Sequence, residues 1–319
     1  MTKIPVIIDC DPGIDDAMML TLAFARPELD IKLVTVEAGN LTMDKTTYNT
    51  LSFLTYINER VEVAKGIEQP MFRKQEVAED IHGEGGLGNV KWADPSFEAS
   101  ERPAIQAMVD TLLNTEEPVT IVATGPLTNI AALLFAHPEV KSFIKQISWM
   151  GGAAVGGNMS TVAEFNAYVD PHAVEFVFRS GVPIIMSGLD VTHKAYITRE
   201  EMADLSHLGT PFAEKVADMM NFYTFTQSDT PFYVPGFEKQ IRVHDICAVA
   251  CLIEPEIFKG DDYFVEVELN GSLTQGATLV DYTNRTGNKP NVHVLHTVNR
   301  EAFIELFFNA VTTIGKKIQ

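Results

Sequence analysis

The residues best suited to chemistry form an acidic segment near the N-terminus, Asp9-Cys10-Asp11-Pro12-Gly13-Ile14-Asp15-Asp16. Four carboxylates within eight residues repel one another unless a cation lies between them. Ligand sets made of oxygen alone favour a hard ion, Ca²⁺ or Mg²⁺. A simpler explanation is that Asp15 and Asp16 complement the dipole of a helix that begins here, but this explains one or two carboxylates and not four. The segment therefore predicts a metal site.

Two other kinds of site, a phosphatase site and a dinucleotide-binding site, are also suggested by short segments of the sequence. The spacing Asp9-x-Asp11 resembles the phosphatase pattern of a nucleophilic aspartate with a second aspartate two residues later, although the Gly-Thr that normally follows is absent. The glycines from Gly83 to Gly88 match the spacing of a dinucleotide-binding loop, but no apolar strand precedes them. We interpret that segment as a flexible loop that carries His82.

A group of polar residues further along the chain could bind a sugar. Asn158, Glu164 and Asn166 follow a predicted strand, and amides together with a carboxylate are suitable partners for sugar hydroxyls. The same residues could belong to an ordinary helix-capping segment. Asn40, after the second predicted strand, is open to the same two interpretations.

The pair His244-Asp245 stands at the start of a predicted helix. Asp245 is of the type that caps helix N-termini. His244 could act as a general acid on a departing group. Taken alone, a histidine in such a pair is more often a hydrogen-bonded surface residue. The pair therefore indicates a catalytic site only when it is considered together with the other segments.

These side chains need a scaffold that brings distant segments together. Short apolar runs, such as residues 4–8, 31–36 and 119–123, alternate with helix-like segments along most of the chain. This alternation predicts an α/β fold with a Rossmann-like, mostly parallel sheet flanked by helices, in which ligands bind at the carboxyl ends of strands. Residues 264–269 and 276–280 predict an antiparallel C-terminal extension. No repeat or linker divides the chain, so we expect a single domain over residues 1–319.

The composition excludes several classes of partner. The 319 residues include 24 Lys and Arg against 43 Asp and Glu, a formal charge of −19. Such a chain has no general attraction for nucleic acid or for an anionic membrane, and we expect neither as a partner. We find no secretion signal and no disulfide framework among the three cysteines, and we therefore expect a cytoplasmic protein.

Taken together and in chain order, these segments resemble the inosine–uridine nucleoside hydrolase family. The residues from Asp11 to Ala17 match the hallmark of the family. The other matching segments are Ala38-Gly39-Asn40, Ala123-Thr124-Gly125-Pro126-Leu127-Thr128-Asn129-Ile130, Met150-Gly151-Gly152, Ala163-Glu164-Phe165-Asn166 and His244-Asp245. Residues 276–281 and 287–292 are most similar to the broad-specificity branch, which acts on purine and pyrimidine ribonucleosides.

The resemblance implies Ca²⁺-dependent hydrolysis of the N-glycosidic bond of a ribonucleoside substrate, which yields ribose and a free base. The Ca²⁺ ligands that it implies are the carboxylates of Asp11, Asp16 and Asp245 and the backbone carbonyl of Thr124. The ribose-binding residues that it implies are Asp15, Asn40, Asn158, Glu164 and Asn166. Asp11 would also be the general base, and His82 and His244 would lie on the base side, with His244 as the acid.

The resemblance also implies a homodimer or homotetramer. Two alternatives of other kinds remain at this point: a non-catalytic protein that binds ribose or a nucleoside on the same fold, and a metal-dependent phosphatase. Release of reducing sugar, release of phosphate, or release of neither would separate the three.

Overall fold

The computed structural model describes residues 3–88, 90–228 and 240–319, with the side chains of residues 224–228 excepted. The strands in these ranges are β1 (Ile4–Cys10), β2 (Leu29–Val36), β3 (Val63–Lys65), β4 (Val119–Ala123), β5 (Ile144–Met150), β6 (Ile184–Ser187), β7 (Tyr196–Thr198), β8 (Gln240–Arg242), β9 (Phe258–Tyr263), β10 (Val265–Val267), β11 (Thr278–Val280) and β12 (Val292–Val298). The α-helices are α1 (Ile14–Ala25), α2 (Met43–Tyr56), α3 (Glu79–His82), α4 (Ala104–Asn114), α5 (Thr128–Ala136), α6 (Phe165–Val169), α7 (Pro171–Phe178), α8 (Leu189–Thr192), α9 (Arg199–Ser206), α10 (Pro211–Ser228), α11 (Ile246–Ile253) and α12 (Arg300–Lys317). No helix within the described ranges is long and apolar enough to cross a bilayer.

Eight of the strands form one sheet in the order β3-β2-β1-β4-β5-β6-β12-β9. Every neighbouring pair in this sheet is parallel except β12 and β9, which are antiparallel. The predicted α/β fold with a mostly parallel sheet is therefore confirmed. The expected antiparallel extension is also present, because β10 pairs with β11 in a separate two-stranded ribbon. A second antiparallel ribbon, β7 with β8, was not predicted.

Helices cover both faces of the sheet, which explains why its central strands are continuous apolar runs and not alternating ones. In β1 every residue from Pro5 to Cys10 is buried. One hydrophobic cluster packs α1, α2, α10, α11 and α12 on one face. A second cluster packs α4, α5 and α7 on the other face.

The parallel arrangement places the ends of several strands at the same edge. The register aligns Asp9 at the end of β1 with Thr35 of β2 and with Ala123 of β4. The polar residues that follow these strands, among them Asp11 and Thr124, therefore meet at the carboxyl edge of the sheet. The candidate site lies at this edge.

Candidate functional site

Asp16 is held in place by three donors from three different segments. Gly13 donates its backbone N–H to Asp16 Oδ2 (2.9 Å), which fixes the carboxylate at the first turn of α1. Asn40 Nδ2 donates to the same oxygen (3.1 Å), and Thr124 Oγ1 donates to Oδ1 (2.8 Å). Asp16 thus ties together the segments that follow β1, β2 and β4.

Asp15, Asp16 and Asp245 form a compact buried cluster. Each offers one carboxylate oxygen, and these oxygens lie within 4.8 Å of one another. Burial, together with the charge of the neighbouring carboxylates, raises the pKa of Asp15 to about 8 and that of Asp245 well above its usual range. Three carboxylates so close together in a buried place are stabilised when a cation lies between them.

Unsatisfied carboxylate oxygens show that the donor set fits a hard cation. Asp11 Oδ2 accepts the backbone N–H of Asn40 (2.6 Å), whereas Asp11 Oδ1 is buried without a hydrogen-bond partner among the described residues. Asp15 Oδ1 is likewise buried and has no hydrogen-bond partner among the described residues. Buried polar atoms normally have partners, and oxygen ligands of this kind are those that Ca²⁺ prefers.

The geometry groups the carboxylates differently from the sequence-based expectation. Asp11, Asp16 and Asp245 were expected as the carboxylate ligands, with Asp15 on the ribose. The compact group instead contains Asp15 and not Asp11, whose Oδ1 is buried without a hydrogen-bond partner among the described residues. Asp11 and Asp16 are fully buried behind the cavity, whereas Asp15 lines it.

The amide and carboxylate residues after β5 serve as caps and also line the site. Glu164 is the N-cap of α6, and its Oε2 accepts the backbone N–H groups of Gly152 (2.8 Å) and Ala167 (3.1 Å). Asn166 Nδ2 donates to the carbonyl of Thr124 (2.9 Å). Burial raises the pKa of Glu164 to about 7. The capping interpretation of this segment is therefore confirmed, and its residues also line the cavity, whereas sugar binding stays a prediction.

A cavity of about 640 Å³ joins these groups. It is large enough for a small ligand such as a nucleoside. Nine of the eleven residues expected at the site line it, namely Asp15, Asn40, His82, Thr124, Asn158, Glu164, Asn166, His244 and Asp245. Residues from widely separated parts of the chain therefore face one cavity.

His82 is the last residue of the short helix α3, so the expectation that a flexible loop carries it was wrong. Its Nδ1 accepts the backbone N–H of Ile14 (3.0 Å), which leaves Nε2 to carry the proton. A Cβ at Gly13 would lie 2.5 Å from this nitrogen, so the close approach requires glycine there. Burial lowers the pKa of His82 to about 3, and the ring is therefore neutral near pH 7.

His244 is a buried residue and not the surface histidine that its sequence alone would favour. Its Nδ1 lies 2.8 Å from Thr192 Oγ1, and its ring meets that of His193 with centroids 5.9 Å apart. Burial, and then the charges of His193 and Arg242, lower the pKa of His244 well below its usual range. Asp245, which follows it, occupies the N-cap position of α11 as predicted, but its side chain makes no capping hydrogen bond.

The residues that line the cavity but were not predicted as site residues include His193, Tyr223 and Arg242. Tyr223 lies on α10, donates its hydroxyl to Asp15 Oδ2 (3.3 Å) and stacks on His82 at 5.5 Å. His193 follows α8, and Arg242 ends β8. None of them belongs to a motif, and only the aromatic composition of α10 gave any signal.

Asp9 is not placed to act as a phosphatase nucleophile. Like Asp11 it is fully buried and does not line the cavity, but its hydrogen bonds tie it to β2 and α5. Its Oδ1 accepts Thr35 Oγ1 (2.5 Å) and Asn129 Nδ2 (2.9 Å). In the described part of the chain, the glycines from Gly83 to Gly88 follow α3 and not a strand, and Gly83, Gly86 and Gly88 have positive φ, which does not match a dinucleotide site.

Comparison with known proteins gives consistent results. The pattern of the family described as inosine-uridine preferring nucleoside hydrolase matches residues 6–305. The pyrimidine-specific ribonucleoside hydrolase RihA of Escherichia coli O81 (strain ED1a) is 45% identical over 304 residues, which are 95% of this chain and 96% of that protein.

Solved structures resemble the fold over nearly its full length. A purine-preferring ribonucleoside hydrolase from Gardnerella vaginalis superposes with a TM-score of 0.90 at 30% identity, covering 98% of this chain and 99% of that one. The plant nucleoside hydrolase PpNRh1 superposes with a TM-score of 0.89 at 30% identity, covering 97% and 98%.

Proposed function

This chain belongs to the inosine-uridine preferring nucleoside hydrolase family, and on that premise we propose that it is a Ca²⁺-dependent enzyme that hydrolyses ribonucleosides to ribose and a free base. The observation that carries the proposal is the buried cluster of Asp15, Asp16 and Asp245, of which Asp15 and Asp245 line the cavity. Cleavage of an N-glycosidic bond builds positive charge on the ribose ring, as in the hydrolysis of O-glycosides. Fixed carboxylates around the ring stabilise that charge.

We assign the metal to Asp11, Asp16 and Asp245 and the carbonyl of Thr124, with Asp15 adjoining them. The unpartnered Oδ1 atoms of Asp11 and Asp15 support the assignment. When bound there, Ca²⁺ would lower the pKa of a water molecule and accept ribose hydroxyl oxygens. Ca²⁺ suits the site better than Mg²⁺ because it accepts more ligands in a looser geometry.

The chain's own residues supply the remaining steps. Asp11 Oδ1 is unpartnered and can accept a proton from the attacking water as general base. Asn40, Asn158, Glu164 and Asn166 would position the ribose through its hydroxyls. His244, oriented by Thr192, would donate a proton to the departing base. Burial lowers the pKa values of both His82 and His244, so both rings are neutral near pH 7 before a base departs. We choose His244 as the acid because Thr192 orients it and because it stands directly before Asp245.

The proposal also concerns which nucleobases the enzyme accepts. The sequence predicted hydrolysis of both purine and pyrimidine ribonucleosides. The RihA relatives are named as pyrimidine-specific, whereas the Gardnerella vaginalis enzyme is named as purine-preferring. We propose that pyrimidine ribonucleosides are substrates and that purine ribonucleosides are also accepted.

Three broader properties remain predictions. We propose that residues 1–319 form a single domain, because the two hydrophobic clusters pack on opposite faces of one sheet. A cytoplasmic location and a homodimer or homotetramer are the other two.

A panel of ribonucleosides assayed for free ribose tests the function. We expect release of ribose that stops in excess chelator and returns with added Ca²⁺. Binding of nucleosides without release of ribose would favour the non-catalytic alternative. Release of phosphate from ribonucleoside monophosphates, without cleavage of nucleosides, would favour the phosphatase and overturn the proposal.

A further inference from the structure

A positively charged side chain, that of Arg242, faces a cavity otherwise rich in carboxylates. Arg242 ends β8, where it pairs with Tyr196 of β7. Ile241 beside it is buried in the core, and neighbouring residues of a strand point to opposite faces. Arg242 therefore points away from the core, and it lines the cavity. Among the described residues that line the cavity, it is the only lysine or arginine.

Arg242 lies on the histidine side of the cavity. It stands two residues before His244, and Val243 between them donates its backbone N–H to the carbonyl of Ala195 (3.3 Å), two residues after His193. Burial lowers the pKa of Arg242 itself to about 10, so the guanidinium keeps its charge at neutral pH. His244 is also the residue assigned to the departing base.

We infer that Arg242 recognises the nucleobase and selects bases that present a carbonyl oxygen over analogues with an amino group at the same place. This inference rests on the proposed function. A guanidinium only donates hydrogen bonds, so the atoms of a base that it can bind are acceptors. The O6 and N7 atoms of a 6-oxo purine match its planar fork, as they do when arginine reads guanine. An exocyclic amino group at the same position of the base is also a hydrogen-bond donor, so it cannot accept a hydrogen bond from the guanidinium.

The same contact is strengthened as the base departs. When the C1′–N bond breaks, its electron pair leaves with the base, and part of the negative charge moves onto the carbonyl oxygen. The water adds its hydroxyl to C1′, and its other proton ends on the base nitrogen. A fixed cation beside the carbonyl oxygen stabilises the developing charge. Arg242 therefore acts both on the choice of base and on its departure.

Paired substrates test the inference. We expect wild-type kcat/KM to be higher for uridine than for cytidine and for inosine than for adenosine. In Arg242→Gln both ratios should fall by about 10-fold or more, because glutamine can donate and accept alike. Arg242→Lys keeps the charge but not the fork, and its ratios should also fall. Arg199→Gln, an exposed arginine at the start of α9, is the matched control and should keep both ratios.

The outcomes separate this inference from the proposed function. The role of Arg242 is overturned if wild-type kcat/KM is the same for both members of each pair, or if both Arg242 variants keep the wild-type ratios. Release of ribose would still support the hydrolase in either case. A loss that is equal on all nucleosides and on p-nitrophenyl riboside overturns the role of Arg242 too, because it indicates a structural role. If no nucleoside releases ribose, the proposed hydrolase function is wrong. Calorimetric measurement of uridine and cytidine binding to the wild type and to Arg242→Gln would still test whether Arg242 selects the base.

Discussion

At the scale of single residues, Asp15 and Asp16 are adjacent in the sequence but have different surroundings. Both oxygens of Asp16 accept hydrogen bonds from the protein, from Gly13, Asn40 and Thr124. Asp15 has one oxygen near Tyr223 and one without a partner among the described residues. The order of the acidic segment in the sequence does not reveal this difference, because the donors come from segments far along the chain.

Removal of a carboxylate from the cluster should abolish metal binding. Asp11→Ala and Asp16→Ala should each lose bound Ca²⁺ and nearly all ribose release, since the remaining oxygens cannot complete the ligand set. Calorimetric titration with Ca²⁺ and the ribose assay measure the two effects. Asp44→Ala, which changes an exposed acid on α2, should bind Ca²⁺ as the wild type does. Full turnover of either cluster variant in excess chelator would contradict the metal mechanism.

His244 should matter most for substrates whose base leaves poorly. His244→Ala should lower kcat on natural nucleosides by about 10²–10⁴-fold, the usual worth of general acid catalysis. Ca²⁺ affinity should persist, because Asp245 is untouched. On p-nitrophenyl riboside, whose leaving group needs no proton, the loss should be much smaller. An equal loss on both substrates would mean that His244 positions the ribose or the metal.

At the scale of elements, the sequence predicted the strands whose ends form the site. Strands β1, β2 and β4 appear as apolar runs between turn residues, so the convergence of Asp11 and Thr124 could be expected. The sequence did not predict strand β12, because histidines at positions 293 and 296 interrupt its apolar run. Nor did it predict β7 and β8, which have three residues each. Arg242 lies on one of these short strands, and its role could not be read from the sequence.

The end of β1 carries a buried group that should make folding sensitive to pH. Burial raises the pKa of Asp9 from 3.8 to about 7, despite its hydrogen bonds from Thr35 and Asn129. Between these values the folded protein binds more protons than the unfolded chain, so this group lowers the free energy of unfolding as pH rises. The full contribution is about 4 kcal/mol as an upper bound.

Asp9→Asn should remove this dependence, because asparagine keeps an acceptor oxygen and carries no titrating proton. Urea unfolding in the presence of chelator, at about pH 5 and about pH 8, measures the effect. We expect the wild type to lose more stability than the variant between the two values. If the two proteins lose the same amount, the Asp9 carboxyl does not titrate as inferred.

At the scale of the whole molecule, charge opposes association between copies. The formal charge of −19 makes two chains repel at long range, and salt screens this repulsion. An oligomer must therefore be held by contacts at short range. The predicted homodimer or homotetramer should be more stable at high ionic strength than at low.

Sedimentation equilibrium at micromolar concentration measures the assembly. We expect a mass of two or four times 35.2 kDa at about 0.15 M salt, with dissociation favoured as the salt is diluted. A mass near that of one chain across the whole range of ionic strength would contradict the prediction.

The position of β12 also sets the order in which the chain can assemble during translation. β12 lies between β6 and β9, yet it is the last strand to leave the ribosome. β9 emerges earlier but reaches the sheet only through β12, so it has no pairing partner in the sheet while residues 292–298 are unmade. The nascent chain must keep the free edge of β6 from pairing wrongly during this interval. We expect a chain truncated before residue 292 to leave that edge open and to aggregate.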